Sequence, residues 1–401
     1  MNAADTAFVL ICSALVMFMT PGLALFYGGM VRSKNVLGTI MQSFILLGMV
    51  SVLWAVCGYT LAFGTDVGGV IGGLDFLFLK GVGLDAANGP VENIPHLLFM
   101  VFQCMFAVIT PALITGAFAE RMRFGGFLVF SALWLLVVYA PMAHWVWGKG
   151  WMAQMGALDF AGGAVVHMSS AAAALAAVIV LGRRKGYGTA PFIPHNLPMT
   201  VLGAGILWFG WFGFNAGSAL AADGFAVNAF VTTHMAAAAA ALSWIFMEWR
   251  HSGKATTLGA ASGAVAGLVA ITPAAGFVTV MPAILIGLGG GVFCFLGVLL
   301  KNKLGYDDSL DVIGVHGVGG TWGAIATGLF ASINKASGLF YGNPGQLWVQ
   351  LASVAATWAF CFVASLILLK LVDATIGLRA SEDEEVRGLD ISQHNETGYQ
   401  A

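Results

Sequence analysis

Long apolar runs separated by short polar segments recur along the chain as far as about residue 375. A helix rises 1.5 Å per residue, so about 20 mostly apolar residues cross the roughly 30 Å hydrocarbon core of a membrane. The pattern predicts eleven membrane-spanning helices, at residues 5–31, 36–64, 93–119, 124–147, 160–182, 198–220, 225–249, 256–273, 277–300, 310–333 and 345–375. The eighth is short, and Pro273 in "ITPAAG" predicts a tight turn at its end.

The basic residues are concentrated in alternate connecting segments. Fourteen of the 17 Lys and Arg lie in one set of segments or at the C-terminal end, and only Lys80, Lys149 and Lys335 lie in the other set. The positive-inside rule then predicts an N-terminus outside the cell and a C-terminus in the cytoplasm. An odd number of helices puts the two ends on opposite sides, so the charge pattern agrees with the helix count.

The composition is typical of a membrane protein and argues against several other classes. Hydrophobic residues make up 59% of the chain and charged residues 9%, with a mean hydropathy of +0.87, whereas about a quarter of the residues in soluble domains are charged. The net charge of −2 provides no basic surface for nucleic acid. The five cysteines form no CxxC pair of a zinc or redox site.

The sequence also argues against a removable signal peptide and against an enzyme. The first apolar run has no basic start and no clear cleavage site, so it is predicted to be a spanning helix and not a removable signal peptide. An enzyme is disfavoured because no metal cluster, nucleophile motif or phosphate-binding loop is recognisable, and no cofactor is expected.

One polar motif occurs twice. Asp159 is followed, after seven intervening residues, by His167, and Asp308 by His316 at the same spacing. The two copies fall at the fifth and tenth predicted helices, which indicates two repeats of five helices, at about residues 5–182 and 198–333. An odd number of helices makes the second repeat inverted relative to the first, and such repeats usually meet at a substrate path near the middle of the membrane.

The two histidines are candidates for that path, since ionisable groups inside a membrane span are costly. Two neutral imidazoles can satisfy each other by sharing one proton between ring nitrogens. The alternative is a pair of core histidines bonded to backbone carbonyls. His144 and His234 have no comparable partner in the sequence and are interpreted as structural.

Asp159 and the aromatic residues each allow two interpretations. Asp159 precedes an apolar helix, so it is a candidate N-cap, and its carboxylate also favours a nearby cation. Phe102 and Phe106 lie one helical turn apart, and "WFGWFGFNAGS" ends at Ser218. Most aromatic rings in such a chain serve packing or the membrane interface, but ring faces also attract a small cation where water is excluded.

Five segments in order carry a family resemblance: "PGLALFYGG", "GALDFAGGAVVH", "PHNLP", "GWFGFNAGS" and "DVIGVHGVGG". Together they resemble the bacterial branch of the Amt/Mep/Rh ammonium transporter family, from about residue 5 into the C-terminal tail. The resemblance implies an all-α homotrimer in the cytoplasmic membrane. Each subunit has eleven helices, built as an inverted five-helix repeat plus a long final helix, around its own narrow hydrophobic pore.

The resemblance also implies roles for individual residues. Phe106 and Phe214 correspond to the stacked rings that gate the pore, and His167 and His316 to the paired histidines of its lumen. The outer site that recruits ammonium corresponds to Phe102, Trp147 and Ser218, together with Phe106. The remaining correspondences are Trp211 beside the histidines, and Asp159 and Asn215 in structural or electrostatic roles. The chain departs from common family residues at Cys104, Met105 and Ala164, which affects the expected fine shape of the pore.

The expected function is ammonium transport, with deprotonation at the outer site and passage of ammonia past the histidines. Whether a proton crosses as well is left open by the sequence. The membrane domain is expected to end at residue 377. Composition alone predicts a solvated tail at residues 378–401. The resemblance implies instead that the tail docks on the cytoplasmic loops, and that a PII-type signal protein can bind there and block the exit of the pore. An ammonium sensor that signals through this tail is the alternative function.

Overall fold

The computed structural model describes residues 1–399 and is almost entirely helical. Eleven membrane-crossing helices follow one another along the chain: α1 (Ala3–Met30), α2 (Ser33–Phe63), α3 (His96–Phe118), α4 (Phe124–Met155, interrupted at residues 147–150), α5 (Gly163–Leu181), α6 (Leu197–Gly217), α7 (Gly224–Ser252), α8 (Thr257–Ile271), α9 (Val280–Leu304), α10 (Ile313–Gly317 continuing into Val318–Phe330) and α11 (Pro344–Thr375). The predicted eleven helices are confirmed, including the short eighth, which ends two residues before Pro273.

Short elements complete the described chain. A two-stranded antiparallel hairpin, β1 (Asp66–Val67) and β2 (Ile71–Gly72), follows α2. Two 3-10 turns, Leu77–Leu79 and Leu339–Tyr341, lie in connecting segments. Two short helices, α12 (Glu382–Arg387) and α13 (Leu389–His394), follow α11. The end of the bundle that carries α12 and α13 is called the tail face, and the other end the opposite face.

Helices α1 and α6 pack closely along their length because α6 presents glycines to α1. A side chain at Gly203 would meet the Phe26 backbone nitrogen, and one at Gly213 would meet the Cys12 backbone. Small residues of this kind let helix backbones approach each other in a membrane, where dispersion contacts hold helices together. A larger side chain at either glycine would separate the two helices.

The two copies of the Asp–His motif fold alike. The Asp159 carboxylate accepts hydrogen bonds from the backbone N–H groups that open α5, and the Asp308 carboxylate does so at α10. In both helices the first turn is a π-helix, Gly163–Met168 and Ile313–Gly317, and it carries the histidine. The pairing of α1 with α6, and of these two turns, is the one expected for the predicted inverted repeat.

A buried charge network closes the tail face and was not foreseen from the sequence. Arg184 forms a two-pronged ion pair with Asp307, its Nη2 lying 2.7 Å from Oδ1 and its Nε 2.9 Å from Oδ2. Its Nη1 lies 3.0 Å from Glu120, which also accepts a bond of 2.9 Å from Arg32. The side chains of Glu120 and Asp307 are each 1% exposed, so these carboxylates depend on their arginine partners for charge compensation.

This network predicts acid sensitivity. Burial alone would raise the carboxyl pKa values, but the hydrogen bonds and charges of the arginines outweigh it, so the pKa values of Glu120 and Asp307 are lowered. Carboxyls with lowered pKa values contribute stability that is present above their unfolded values near about 4 and is lost as pH falls through the folded values. The thermal unfolding midpoint in detergent should therefore change little from pH 8 to pH 5 and fall below about pH 4.

The matched control is Asp307→Asn, which removes one of the two titrating groups. This variant should be less stable than the parent protein at neutral pH and should lose less stability on acidification. A parent midpoint that stayed constant or rose between about pH 5 and pH 3 would contradict the assignment.

The tail packs against the loops of its own chain. The Glu385 carboxylate, on a residue only 3% exposed, accepts a 3.0 Å bond from the Lys185 backbone N–H. Asp390 accepts bonds of 3.0 and 2.7 Å from the backbone N–H groups of Leu37 and Gly38, near the start of α2. These buried carboxylates fix α12 and α13 to the tail face, as the family resemblance implies.

Candidate functional site

Two phenylalanine rings lie against each other inside the helix bundle. The ring centroids of Phe106 on α3 and Phe214 on α6 lie 4.2 Å apart, with an angle of 32° between the ring planes. Each residue is only 1% exposed. The two rings therefore form a buried apolar layer, called the barrier below.

The other predicted recruitment residues lie on the opposite-face side of this barrier. Trp147 meets Phe106 edge-on with centroids 5.8 Å apart, and Phe102 does so at 5.0 Å. Trp147 and Ser218 are partly accessible, whereas Phe102 is fully buried against Gly217. Of the residues predicted to recruit ammonium on this side, Trp147 and Ser218 are therefore partly accessible, and Phe102 is not.

Ser218 and Trp147 are held in place by backbone carbonyls. The Ser218 hydroxyl donates to the Phe214 carbonyl over 2.8 Å, which leaves its oxygen lone pairs free to accept. The Trp147 indole N–H donates to the Asp159 carbonyl over 3.0 Å. An acceptor oxygen and an aromatic face are both suited to a small cation that carries N–H donors.

Below the barrier, His167 and His316 face each other. Their Nδ1 atoms lie 3.2 Å apart and their ring centroids 5.3 Å apart. Both residues are buried, and His167 Nε2 has no hydrogen-bond partner among the described residues. The pair shares one hydrogen bond and leaves ring nitrogens available in an otherwise apolar space, which distinguishes it from histidines bonded to backbone carbonyls.

The space between the histidines and the barrier is narrow. Its volume is about 10 Å³, enough for the centre of about one water-sized molecule. Apart from the two histidines, the lining is entirely apolar: Met19, Leu23, Phe26, Ile109, Leu113, Val166, Leu207, Trp211, Phe214 and Val265. This lumen can hold a small neutral molecule but offers a bare ion no charge compensation.

A second cavity extends from His316 toward the tail face. It shares Phe26, Val265 and His316 with the lumen and reaches Asp311 and Ser262. Sequence reasoning did not identify Asp311 or Ser262, because nothing in the local sequence shows that they line the path. Asp311 is paired with Lys301 and has a left-handed backbone, with φ of 62°.

The remaining predicted site residues support the lumen. Trp211 stacks on His167 at 5.4 Å and donates its indole N–H to the Thr272 hydroxyl. Asn215 donates its side-chain amide to Thr233 over 2.9 Å. The Asp159 carboxylate receives four backbone N–H bonds, so the N-cap interpretation describes its contacts.

Comparison with known proteins shows the family of the chain. The family model of the Ammonium Transporter Family matches residues 7–399. The ammonium transporter of Bacillus subtilis is 57% identical over 405 residues, covering 100% of this chain and 99% of the relative. The crystal structure of Candida albicans Mep2 superposes with a TM-score of 0.90 at 38% identity, covering 96% of this chain and 88% of that one.

A further solved structure, named as a sensor Amt protein, gives a TM-score of 0.91 at 30% identity, covering 97% of this chain and 98% of that one. The whole-chain matches in sequence and in fold lead to one conclusion: this multi-pass membrane protein belongs to the ammonium transporter family.

Proposed function

We propose that the protein recruits ammonium at the opposite face, removes a proton, and conducts ammonia between His167 and His316 to the tail face. The observation that carries the proposal is the histidine pair itself, with Nδ1 atoms 3.2 Å apart in a narrow apolar lumen. Its ring nitrogens offer hydrogen bonds to a small molecule that has given up its charge.

Desolvation explains why the neutral species is the one that passes. An ion buried without a compensating charge carries a large free-energy cost, whereas a small uncharged amine with hydrogen-bond partners carries little. The lumen contains no charged side chain. Ammonium is therefore held outside the barrier by Trp147 and Ser218, with Phe102 behind them, and the stacked pair of Phe106 and Phe214 opens for ammonia.

Supporting roles are proposed for three more residues. Trp211 keeps the His167 ring in position by stacking on it. Asp159 fixes both the turn that carries His167 and, through its carbonyl, the Trp147 ring. Asn215 holds the end of α6 against α7.

Orientation and partners complete the proposal. The distribution of lysine and arginine favours the tail face as cytoplasmic, with the opposite face outside the cytoplasmic membrane. The family resemblance favours a homotrimer with one pore per subunit and a PII-type signal protein that binds at the tail face. Exposed apolar side chains on α7, such as Phe230 and Phe246, have the character expected of a surface covered by lipid or by another subunit.

The test is reconstitution of the purified protein into proteoliposomes. Labelled methylammonium uptake and ammonium-dependent current should both be measured, with potassium as the control ion. We expect saturable uptake, and a potassium current no larger than that of protein-free vesicles. A current that accompanies ammonium would show that one positive charge crosses with the transported molecule, and uptake without current would exclude transfer of a proton across the membrane.

The alternative function is an ammonium sensor. The observation in its favour is the fold match to a protein named as a sensor, together with a tail fixed to the loops below the pore. The two functions differ in one measurement, because a sensor would bind ammonium without moving it. Binding to detergent-solubilised protein with no uptake into vesicles would replace the transport proposal with the sensor.

A further inference from the structure

A buried histidine outside the pore contacts two acceptor groups at once. His144 on α4 is fully buried, with Nδ1 2.9 Å from the Ala62 carbonyl oxygen and Nε2 2.8 Å from Asp66 Oδ1. Asp66 belongs to β1, and the same Oδ1 also accepts a 2.9 Å bond from the Gly69 backbone N–H. The hairpin therefore holds a carboxylate against one edge of a buried imidazole.

These contacts determine how many protons the pair holds. A carbonyl oxygen and a carboxylate only accept hydrogen bonds, and a neutral imidazole has one N–H. If that N–H is donated to Ala62, the lone pair of Nε2 faces the Asp66 carboxylate, and this acceptor–acceptor contact is unfavourable. A second proton, bonded either to Nε2 or to Oδ1, turns the contact into a hydrogen bond. The contact between Nε2 and Oδ1 therefore offers a position where one proton can be shared.

The pair also lies beside the recruitment site. Asp66 lines a cavity at the opposite face together with Trp147 and Lys149, and its side chain is 33% exposed. Asp159, the other carboxylate near Trp147, has both oxygens occupied by backbone N–H groups. Asp66 is thus a carboxylate that is accessible from the cavity and contacts a second group that can bind a proton, the His144 imidazole.

We infer that Asp66 and His144 accept the proton that ammonium gives up before ammonia enters the lumen. An N–H bond of ammonium breaks, its electron pair stays on nitrogen, and the proton forms a bond to Asp66 Oδ1 or His144 Nε2, directly or through water. The pair then releases that proton to water in the cavity that Asp66 lines, and the current measurement decides whether a proton also crosses the membrane. This inference rests on the proposed transport function and assigns its proton-accepting group.

Other charged or titratable groups lie near Asp66 and His144 in the described residues. Lys149 lies in the wall of the same cavity as Asp66. Asp75 lies in the same loop, where its carboxylate accepts a bond from the Thr65 N–H. Tyr59 and His96 form a buried hydrogen-bonded pair behind Phe76, which separates them from the cavity.

The test compares Asp66→Asn with the parent protein in proteoliposomes, by methylammonium uptake rates at several concentrations across about pH 5–8. Asparagine keeps the shape and an oxygen for the Gly69 N–H but cannot take up the proton. We expect a fall in maximal rate of about tenfold or more, a half-saturating concentration near the parent value, and a flatter pH profile. Glu92→Gln, an exposed carboxylate of the same loop that does not line the cavity, should behave as the parent protein.

Two outcomes separate this inference from the proposed function. If the parent protein moves no methylammonium, the transport proposal itself fails. If the parent protein transports and a folded Asp66→Asn variant keeps both its maximal rate and its pH profile, the inference about the pair is overturned and transport stands. If Asp66→Asn does not fold, the maximal rate and pH profile of His144→Gln are compared with those of the parent protein in the same way. Glutamine can donate a hydrogen bond to the Ala62 carbonyl but cannot take up and release a proton.

Discussion

Replacing Arg184 with methionine should lower the free energy of unfolding by about 3–5 kcal/mol, the usual cost of removing one partner from a buried ion pair. Arg184 is the shared cation of Glu120 and Asp307, whose side chains are each 1% exposed. Methionine fills similar space but leaves Asp307 without its two-pronged partner. The measurement is the unfolding free energy in mixed detergent micelles, supported by the thermal midpoint.

The neighbouring residue provides a matched control. The Lys185 side chain is 54% exposed and pairs with Glu382, which is 77% exposed, so solvent screens the interaction. Lys185→Met should therefore leave the thermal midpoint almost unchanged. Combining Arg184→Met with Asp307→Leu should recover part of the loss, because replacing both partners removes the uncompensated charge. Equal effects of Arg184→Met and Lys185→Met would disprove the proposed importance of the network.

Replacing either pore histidine with leucine should reduce the rate of methylammonium uptake by about tenfold or more. A buried polar group that lacks a hydrogen-bond partner costs about 1–3 kcal/mol, and about 1.4 kcal/mol corresponds to a tenfold change in rate. In His167→Leu or His316→Leu, the remaining imidazole loses its Nδ1 partner. Ammonia then finds fewer hydrogen-bond partners in the lumen. Uptake and current are measured together. A current that is lost more completely than uptake would assign proton transfer to His167 and His316.

His251→Leu is the control, because His251 is an exposed histidine at the end of α7 and lines neither pore cavity. It should transport at the parent rate. Parent-like uptake and current in both His167→Leu and His316→Leu would remove the histidine pair from the mechanism and leave only a packing role for it.

Much of the fold was predictable because a membrane requires long apolar segments. Each predicted helix is found, and the two Asp–His motifs indicated which helices meet. The hairpin that carries Asp66 was not predicted, since two-residue strands rest on few local interactions and depend on anchoring by groups such as the Trp145 indole N–H, which donates to Val70. His144 was interpreted as structural because its acidic partner lies 78 residues away in the sequence.

The candidate site was identified from the sequence only in part, and mainly through the family resemblance. The motifs gave Phe106, Phe214 and the two histidines, but they did not show that Phe102 is fully buried. They also missed the tail-face cavity with Asp311 and the network around Arg184. In these cases the partners are separated by tens to hundreds of residues, and only the packing of distant helices brings them together.

The sequence by itself determined that this chain crosses a membrane eleven times with basic segments on one side, because the lengths and charges of segments are local properties governed by the cost of burying polar groups in lipid. Only the tertiary structure decided which polar groups compensate one another. It placed His167 Nδ1 3.2 Å from His316, Arg184 between two buried carboxylates, and Asp66 against His144. Hydrogen bonds and ion pairs act over a few ångströms, so they depend on where the helices pack and not on where residues stand along the chain.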